Sequence, residues 1–268
     1  MLEPTKLTDK VLAERYRRHP GPYRIGRDDL NGIFPGILSI PYDPHQYGVS
    51  EYGEINESET ELLTHVVKWL ESRILVEFGT LYGRSTRIMA EQSPNSARIL
   101  TVDLPDNERQ SRAPIYTTDE VFIRLREHAV GEKYRGSPAA TKVIQLRMDA
   151  TSKEFAESLD ELLRGSTIDF ALIDAAHDYY TTKTLFEEVA LPRMSQDGVI
   201  MTDDYGVRSW THIGVTEFFA TKARQDGFLF YHYYPNFGEP VNISKQPSAI
   251  VFVNLPQAKN RDWRRLKT

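Results

Sequence analysis

The sequence predicts an α/β protein built on a mostly parallel sheet, and three observations carry that reading. Five short apolar runs recur along the chain: Ile74-Leu-Val-Glu-Phe, Arg98-Ile-Leu-Thr-Val-Asp, Val143-Ile-Gln-Leu-Arg-Met-Asp, Asp169-Phe-Ala-Leu-Ile-Asp and Gly198-Val-Ile-Met-Thr-Asp-Asp. Helix-like segments lie between them, at Ser85 to Gln92, Asp119 to His128, Ser152 to Leu163 and Thr181 to Ala190. Strands alternating with helices make βαβ units, whose sheet is covered on both faces. The alternation then stops. Phe228-Leu-Phe-Tyr-His-Tyr-Tyr and Ser248-Ala-Ile-Val-Phe-Val-Asn-Leu are joined by a Pro/Gly/Asn-rich connection, which predicts an antiparallel hairpin at one edge.

Ahead of the first strand, Leu62, Leu63, Val66, Val67 and Leu70 recur at helical spacing, with Ser58 or Thr60 placed to cap the start. The core domain is therefore expected over residues 57 to 256. Residues 1 to 56 read as a short N-terminal helix, carrying Val11, Leu12 and Tyr16, followed by an arm or lid. In that arm, Pro20, Pro22, Pro35, Pro41 and Pro44 interrupt any long helix or central strand. Its aromatics Tyr23, Phe34, Tyr42 and Tyr47 favour packing against the body or a substrate. Residues 257 to 268 form a basic tail.

Composition narrows the function. The chain has 268 residues, a net charge of -5, 40% apolar residues and no cysteine, which suits one globular core and excludes thiolate metal ligation. No apolar run approaches the roughly 18 residues of a membrane span. The N-terminus lacks an apolar signal segment, so a cytoplasmic location is expected. The slight acidity argues against a dedicated nucleic-acid partner. A small molecule is the expected partner, with a homo-oligomer open.

In such a sheet, ligands sit beyond the carboxyl ends of the strands. Those ends are acidic here. The first strand runs into Glu77-Phe-Gly-Thr-Leu-Tyr-Gly-Arg-Ser-Thr, where Gly79 and Gly83 permit close backbone approach and Ser85 or Thr86 can cap the next helix. The second strand ends at Asp103, about 20 residues on, the place of a carboxylate that accepts ribose hydroxyls. The third ends in Met148-Asp149-Ala150, from which Asp149 can accept from an adenine amino group. A pyrophosphate would want Gly-x-Gly-x-x-Gly; Glu-x-Gly-x-x-x-Gly instead suits a ligand carrying an ammonium and a sulfonium.

Val76-Glu-Phe-Gly-Thr-Leu-Tyr-Gly-Arg-Ser-Thr and Leu100-Thr-Val-Asp-Leu resemble motifs I and II of class I S-adenosylmethionine (SAM)-dependent methyltransferases. The resemblance implies a Rossmann-like sheet of seven strands, order 3-2-1-4-5-7-6, with strand 7 antiparallel. It places Glu77, Gly79 and Gly83 at the methionine portion of SAM, Asp103 at the ribose and Asp149 or Ala150 at the adenine. Ser85 and Asp174 belong with these cofactor residues.

The fourth strand ends in Ile173-Asp-Ala-Ala-His-Asp-Tyr-Tyr and the fifth in Met201-Thr-Asp-Asp-Tyr. Parallel neighbours would bring Asp174, Asp203 and Asp204 together, provided the backbone turns at Asp203. Such a cluster needs protons or a cation, and oxygen ligands suit Mg²⁺, Mn²⁺ or Ca²⁺. His177, near neutrality in its ordinary pKa, is the candidate general base.

This arrangement resembles metal-dependent small-molecule O-methyltransferases of the catechol type and of the type that methylates macrolide sugars. There, an Asp after strand four and an acidic pair after strand five hold the metal, and a Lys or His three residues beyond the first Asp is the base. The Asp203-Asp204 pair departs from the Asp-Asn of the first type and the Glu-Asp of the second. The resemblance implies methyl transfer to a hydroxyl of a small molecule, a natural product or sugar among them.

Around the proposed metal, Tyr179, Tyr180, Tyr205, Trp210 and His212 are candidates for substrate contact or for packing. Arg15, Arg17, Arg18, Arg24 and Arg27 read as a solvated basic stretch or an anion clamp, and the insert from Pro105 to Lys142 as part of the acceptor pocket or a subunit contact. Two other functions share parts of the pattern. A nicotinamide-dependent oxidoreductase would share the sheet and Asp103, but lacks support in the missing phosphate turn. A non-catalytic SAM-binding protein would keep the turn without needing His177.

Overall fold

The computed structural model describes residues 23–51, 53–108, 129–205, 213–225, 230–233 and 248–253. The strands are β1 (Tyr23–Ile25), β2 (Ile74–Phe78), β3 (Arg98–Asp103), β4 (Val143–Arg147), β5 (Ile168–Ile173), β6 (Met194–Tyr205), β7 (Phe230–Tyr233) and β8 (Ser248–Val253). They form one sheet in the order β1-β7-β8-β6-β5-β2-β3-β4. The run from β6 to β4 is parallel, and β8 pairs antiparallel with both β6 and β7.

The central strands are apolar throughout because each of their faces meets a separate helical layer. Leu75, Ile99, Phe170, Leu172, Val199 and Met201 face α1 (Arg27–Ile33), α2 (Glu57–Leu70) and α3 (Arg84–Gln92), packing with Leu62, Val66, Ile88 and Met89. Their alternating neighbours Val76, Leu100, Ala171, Ile173 and Ile200 face α5 (Lys153–Leu163), α6 (Tyr179–Lys183) with its π-helical continuation Thr184–Ala190, and α7 (Ile213–Gln225). The one-turn helix α4 (Glu132–Arg135) lies between β3 and β4 in the chain. Among the described residues, no helix is long and apolar enough to cross a membrane.

Two expectations are corrected. The sheet has eight strands where seven were expected, because Tyr23–Ile25 pairs in parallel with β7. Nothing in its composition marks it, since the pairing is made by backbone groups. In the arm, Leu30, Ile33, Phe34, Ile37 and Tyr47 are buried in the same core as Leu62 and Phe170. The aromatics Phe34 and Tyr47 pack inside the protein, Phe34 edge-on to Trp69. Finally, α2 is capped by Asn56, not Ser58 or Thr60. Asn56 Oδ1 accepts from the N–H groups of Ser58 and Glu59, and Glu59 reaches back to the Asn56 N–H, a capping box. The expected N-terminal helix, the helix at Asp119 to His128, Trp210, His212, the connection between β7 and β8 and the basic tail lie outside the described residues.

Candidate active site

The turn after β2 is built by backbone demands on its glycines. Gly79 has φ +97°, and a Cβ there would lie 1.8 Å from the carbonyl oxygen of Asp174. This close approach joins the turn to the end of β5, where the Asp174 N–H donates to Phe78 O at 2.9 Å. Gly83, at φ +87°, would press a Cβ to 2.7 Å from the Tyr134 ring and 2.9 Å from Gly131 Cα. Asp103 fastens the same turn: its Oδ2 accepts from the N–H groups of Leu81 (2.9 Å) and Thr80 (3.3 Å). A carboxylate has acceptor capacity beyond these bonds and the one from the Leu104 N–H. Asp103 is half-buried, so a ligand diol can reach that capacity.

Glu77 is held inside the protein. It is fully buried, with its carboxylate accepting from the hydroxyls of Ser85 (2.5 Å), Thr101 (2.6 Å) and Thr86. Burial pushes its pKa up to about 7 against the opposing pull of those hydroxyls. Ser85 is likewise buried and committed to Glu77, and Gly83 stands at the α3 N-cap without a side-chain bond. Glu77 and Ser85 thus brace the turn from inside. Asp149 closes a local turn instead, its Oδ1 accepting from the Thr151 N–H (2.9 Å) and hydroxyl (2.6 Å). Asp149 and Ala150 remain half-buried at the end of β4.

A second clamp holds the turn from outside. Lys133 Nζ lies 2.7 Å from Glu51 and 2.8 Å from Glu54, and its backbone N–H donates to Tyr82 O. The Glu54 side chain is only 2% exposed. Lys133→Ala would strand that carboxylate, and a loss of about 2 kcal/mol is expected. Calorimetric melting checks it, with Glu54→Gln in the same background expected to recover part of the loss.

At the ends of β5 and β6, the structure brings together Asp174, His177 and Asp204. His177 Nε2 lies 3.3 Å from Asp204 Oδ2 and 3.9 Å from Asp174 Oδ1, and all three side chains are largely buried. The convergence needs the backbone to turn, and it does: Asp204 adopts φ +59° where the β6–β8 register shifts. Asp203 Oδ1 accepts from the Asp204 N–H at 2.7 Å.

Burial pushes the carboxyl of Asp174 well above its ordinary range, and Asp203, Asp204, Glu77 and Asp103 push it further. Asp204 is raised to about 7 by burial, and Asp203 is raised by burial and then by Asp204. The site is a buried cluster of carboxyls, each of which burial makes harder to ionise.

Glu59 is a fourth carboxyl here, and sequence reasoning did not find it. It is 1% exposed, its Oε1 meets no N–H or hydroxyl donor, and it lies close enough to Asp203 for the two carboxyls to perturb each other. Burial and Asp203 accordingly raise Glu59 well above the usual range. The capping-box spacing Asn56-x-x-Glu59 was the available signal, but it predicts the helix start and not the partner across the sheet.

Tyr205, a candidate for substrate contact, is buried against the ring of His232. Tyr179 packs on Phe218, whereas Tyr180 is 79% exposed at the rim.

Residues 76–205, which carry all these strand ends, match a family model described as a methyltransferase domain. The match covers 130 of the 268 residues, a little under half of the chain. It runs from β2 through β6 and so contains the glycine turn, Asp103 and the carboxyl–imidazole group. Among solved structures, a protein from Klebsiella pneumoniae assigned as an O-methyltransferase is 16% identical, with a TM-score of 0.50 over 84% of this chain and 97% of that one. At that identity the likeness shows the fold. An O-methyltransferase from Bacillus cereus in complex with SAH is 19% identical over 76% and 84% of the two chains, with a TM-score of 0.48. TomG from Streptomyces achromogenes, an O-methyltransferase of tomaymycin synthesis in complex with SAM, is 15% identical over 85% and 99%, with a TM-score of 0.49. No curated protein matches the chain.

Proposed function

We propose that the protein is a SAM-dependent O-methyltransferase acting on a hydroxylated small molecule. The observation that carries this reading is the convergence, in a segment that matches a methyltransferase domain, of a glycine turn fastened to Asp103 with the group Asp174–His177–Asp204. The strand order supports it further. Without edge strand β1, it corresponds to 3-2-1-4-5-7-6 with the strand between β6 and β7 antiparallel.

In this reading, Asp103 accepts the ribose hydroxyls, the backbone of the Gly79–Gly83 turn lies along the methionine portion, and Asp149 and Ala150 flank the adenine. The acidic strand ends favour a cationic ligand over a pyrophosphate. Bound SAM supplies an electrophilic methyl carbon, which passes to the acceptor oxygen as the carbon–sulfur bond breaks and sulfur keeps the electron pair. His177 takes the acceptor's proton. With Nε2–H directed at Asp204, the accepting lone pair is on Nδ1, and the carboxylates stabilise the imidazolium that forms.

A divalent cation belongs to the same proposal. Asp174, Asp203 and Asp204 fit it in chemistry: they are buried oxygen donors whose mutual repulsion a cation relieves. Among the described residues, no three such side chains are already grouped to hold a metal ion, in keeping with the engagement of Asp203 by Glu59. When bound there, the ion would acidify the acceptor hydroxyl.

Transfer of labelled methyl from SAM to a panel of catechols, sugars and other hydroxylated acceptors, with Mg²⁺ and with EDTA, tests the reading. His177→Ala is expected to lower the rate about 10²- to 10⁴-fold while SAM still binds. Undiminished transfer by both His177→Ala and Asp174→Ala would remove this active-site assignment.

A further inference from the structure

Helix α7 meets the segment bearing His177 through backbone, not side chains. A Cβ at Gly214 would lie 2.1 Å from Tyr179 N, 2.4 Å from Asp178 C and 2.6 Å from Asp178 Cα. These are main-chain atoms, so no rotamer change relieves the contact. The approach lets the Val215 N–H, in the first turn of α7, donate to the carbonyl of His177 at 3.2 Å. One turn on, Phe218 closes the same joint edge-on to Tyr179.

We infer that Gly214 is a positioning residue for His177, holding α7 close enough for Val215 to fix the His177 backbone and thereby aim the imidazole at Asp204. The segment is pinned from both sides. Before it, the Asp174 N–H is bonded to Phe78 O. After it, Asp178 caps α6 by accepting from the N–H groups of Tyr180 and Thr181, each at 3.0 Å. Neither bond touches His177 itself; of the backbone bonds described here, the one from Val215 does. A first-turn N–H of a helix has no partner within its own helix, so its use here takes nothing from α7. The inference rests on the reading of His177 as the base, because only then does its aim matter for turnover.

Gly214→Ala moves α7 away from the segment. Val215→Pro removes the donor at a place where a helix tolerates proline. Phe218→Leu loosens the same joint without touching the backbone contact. The histidine side-chain ¹H–¹⁵N spectrum of each full-length variant, with His177 assigned from its loss in His177→Gln, reads the imidazole directly. Calorimetric titration with SAM is the control.

The expected result is loss of the wild-type His177 pattern in Gly214→Ala and Val215→Pro, its retention in Phe218→Leu despite a lower melting temperature, and unchanged SAM affinity in all three. An unchanged pattern in folded Gly214→Ala and Val215→Pro would overturn the inference. So would the same change in Phe218→Leu, which would make it general loosening, or failure of both backbone variants to fold, which would make the contact a requirement of folding. If His177→Ala transfers methyl groups at the wild-type rate while the Gly214→Ala pattern changes, the positioning stands and the base assignment falls.

Discussion

Asp204→Asn is expected to stabilise the metal-free protein at pH 8 while impairing its function. The folded state raises the carboxyl of Asp204 from 3.8 to about 7, through burial. A carboxyl raised in this way binds its proton more tightly folded than unfolded. Its contribution is fully present below the unfolded pKa and is lost as pH rises through the folded one. Glu77 titrates in the same sense, from 4.5 to about 7. Stability of the metal-free protein should therefore decline between about pH 4 and 7 and level off above.

Asparagine removes the Asp204 part of that decline. With the side chain 15% exposed, water relieves some of the penalty, and a gain of about 2 to 4 kcal/mol at pH 8 is expected. That corresponds to roughly 5 to 10 °C in melting temperature, with little difference at about pH 3.5, below the unfolded pKa. Calorimetry in EDTA at the two pH values measures it, and an Asn variant less stable at pH 8 would show that the ionised cluster is already compensated. Added Mg²⁺ should then raise the melting temperature of the wild type more than that of the variant.

Gly79→Ala should have the largest effect in the opposite direction. At φ +97° an L-residue is strained, and its Cβ would stand 1.8 Å from one backbone atom, Asp174 O, and 2.7 Å from another, Asp174 C. The turn and the end of β5 must separate, which also disturbs Asp103's hold on Leu81 and the placement of Asp174. A loss of about 4 kcal/mol or more is expected, roughly 8 °C or more in melting temperature, together with loss of SAM binding. A variant that melts and binds SAM like the wild type would mean that the turn can open without consequence, contrary to the role given to it.

Much of this was legible because it depends on local pattern. The central strands are buried on both faces, so Leu75 and Val76 alike had to be apolar, and the carboxyl ends of the strands followed directly. The Asp203–Asp204 turn was legible as a requirement: neighbouring side chains cannot converge in a regular strand.

What escaped depends on contacts distant in the chain. Glu59 carries an ordinary helix-start signal, and only the packing of the α2 N-terminus against the end of β6 makes it a partner of Asp203. Ser85 and Thr86 looked like caps or ligand contacts because hydroxyls serve either role; the buried Glu77 accepts from both. The arm's Pro and Gly residues correctly ruled out a long helix, but they do not reveal that Leu30, Ile33 and Phe34 complete the core.

Calorimetric titration of the wild-type protein and of Asp103→Ala with SAM tests the central claim most directly. The account predicts one saturable site in the wild type and binding weakened or abolished in Asp103→Ala, since that carboxylate fastens the glycine turn and, in the proposed function, receives the ribose. Absence of binding by the folded wild type, or equal binding by both proteins, would contradict it.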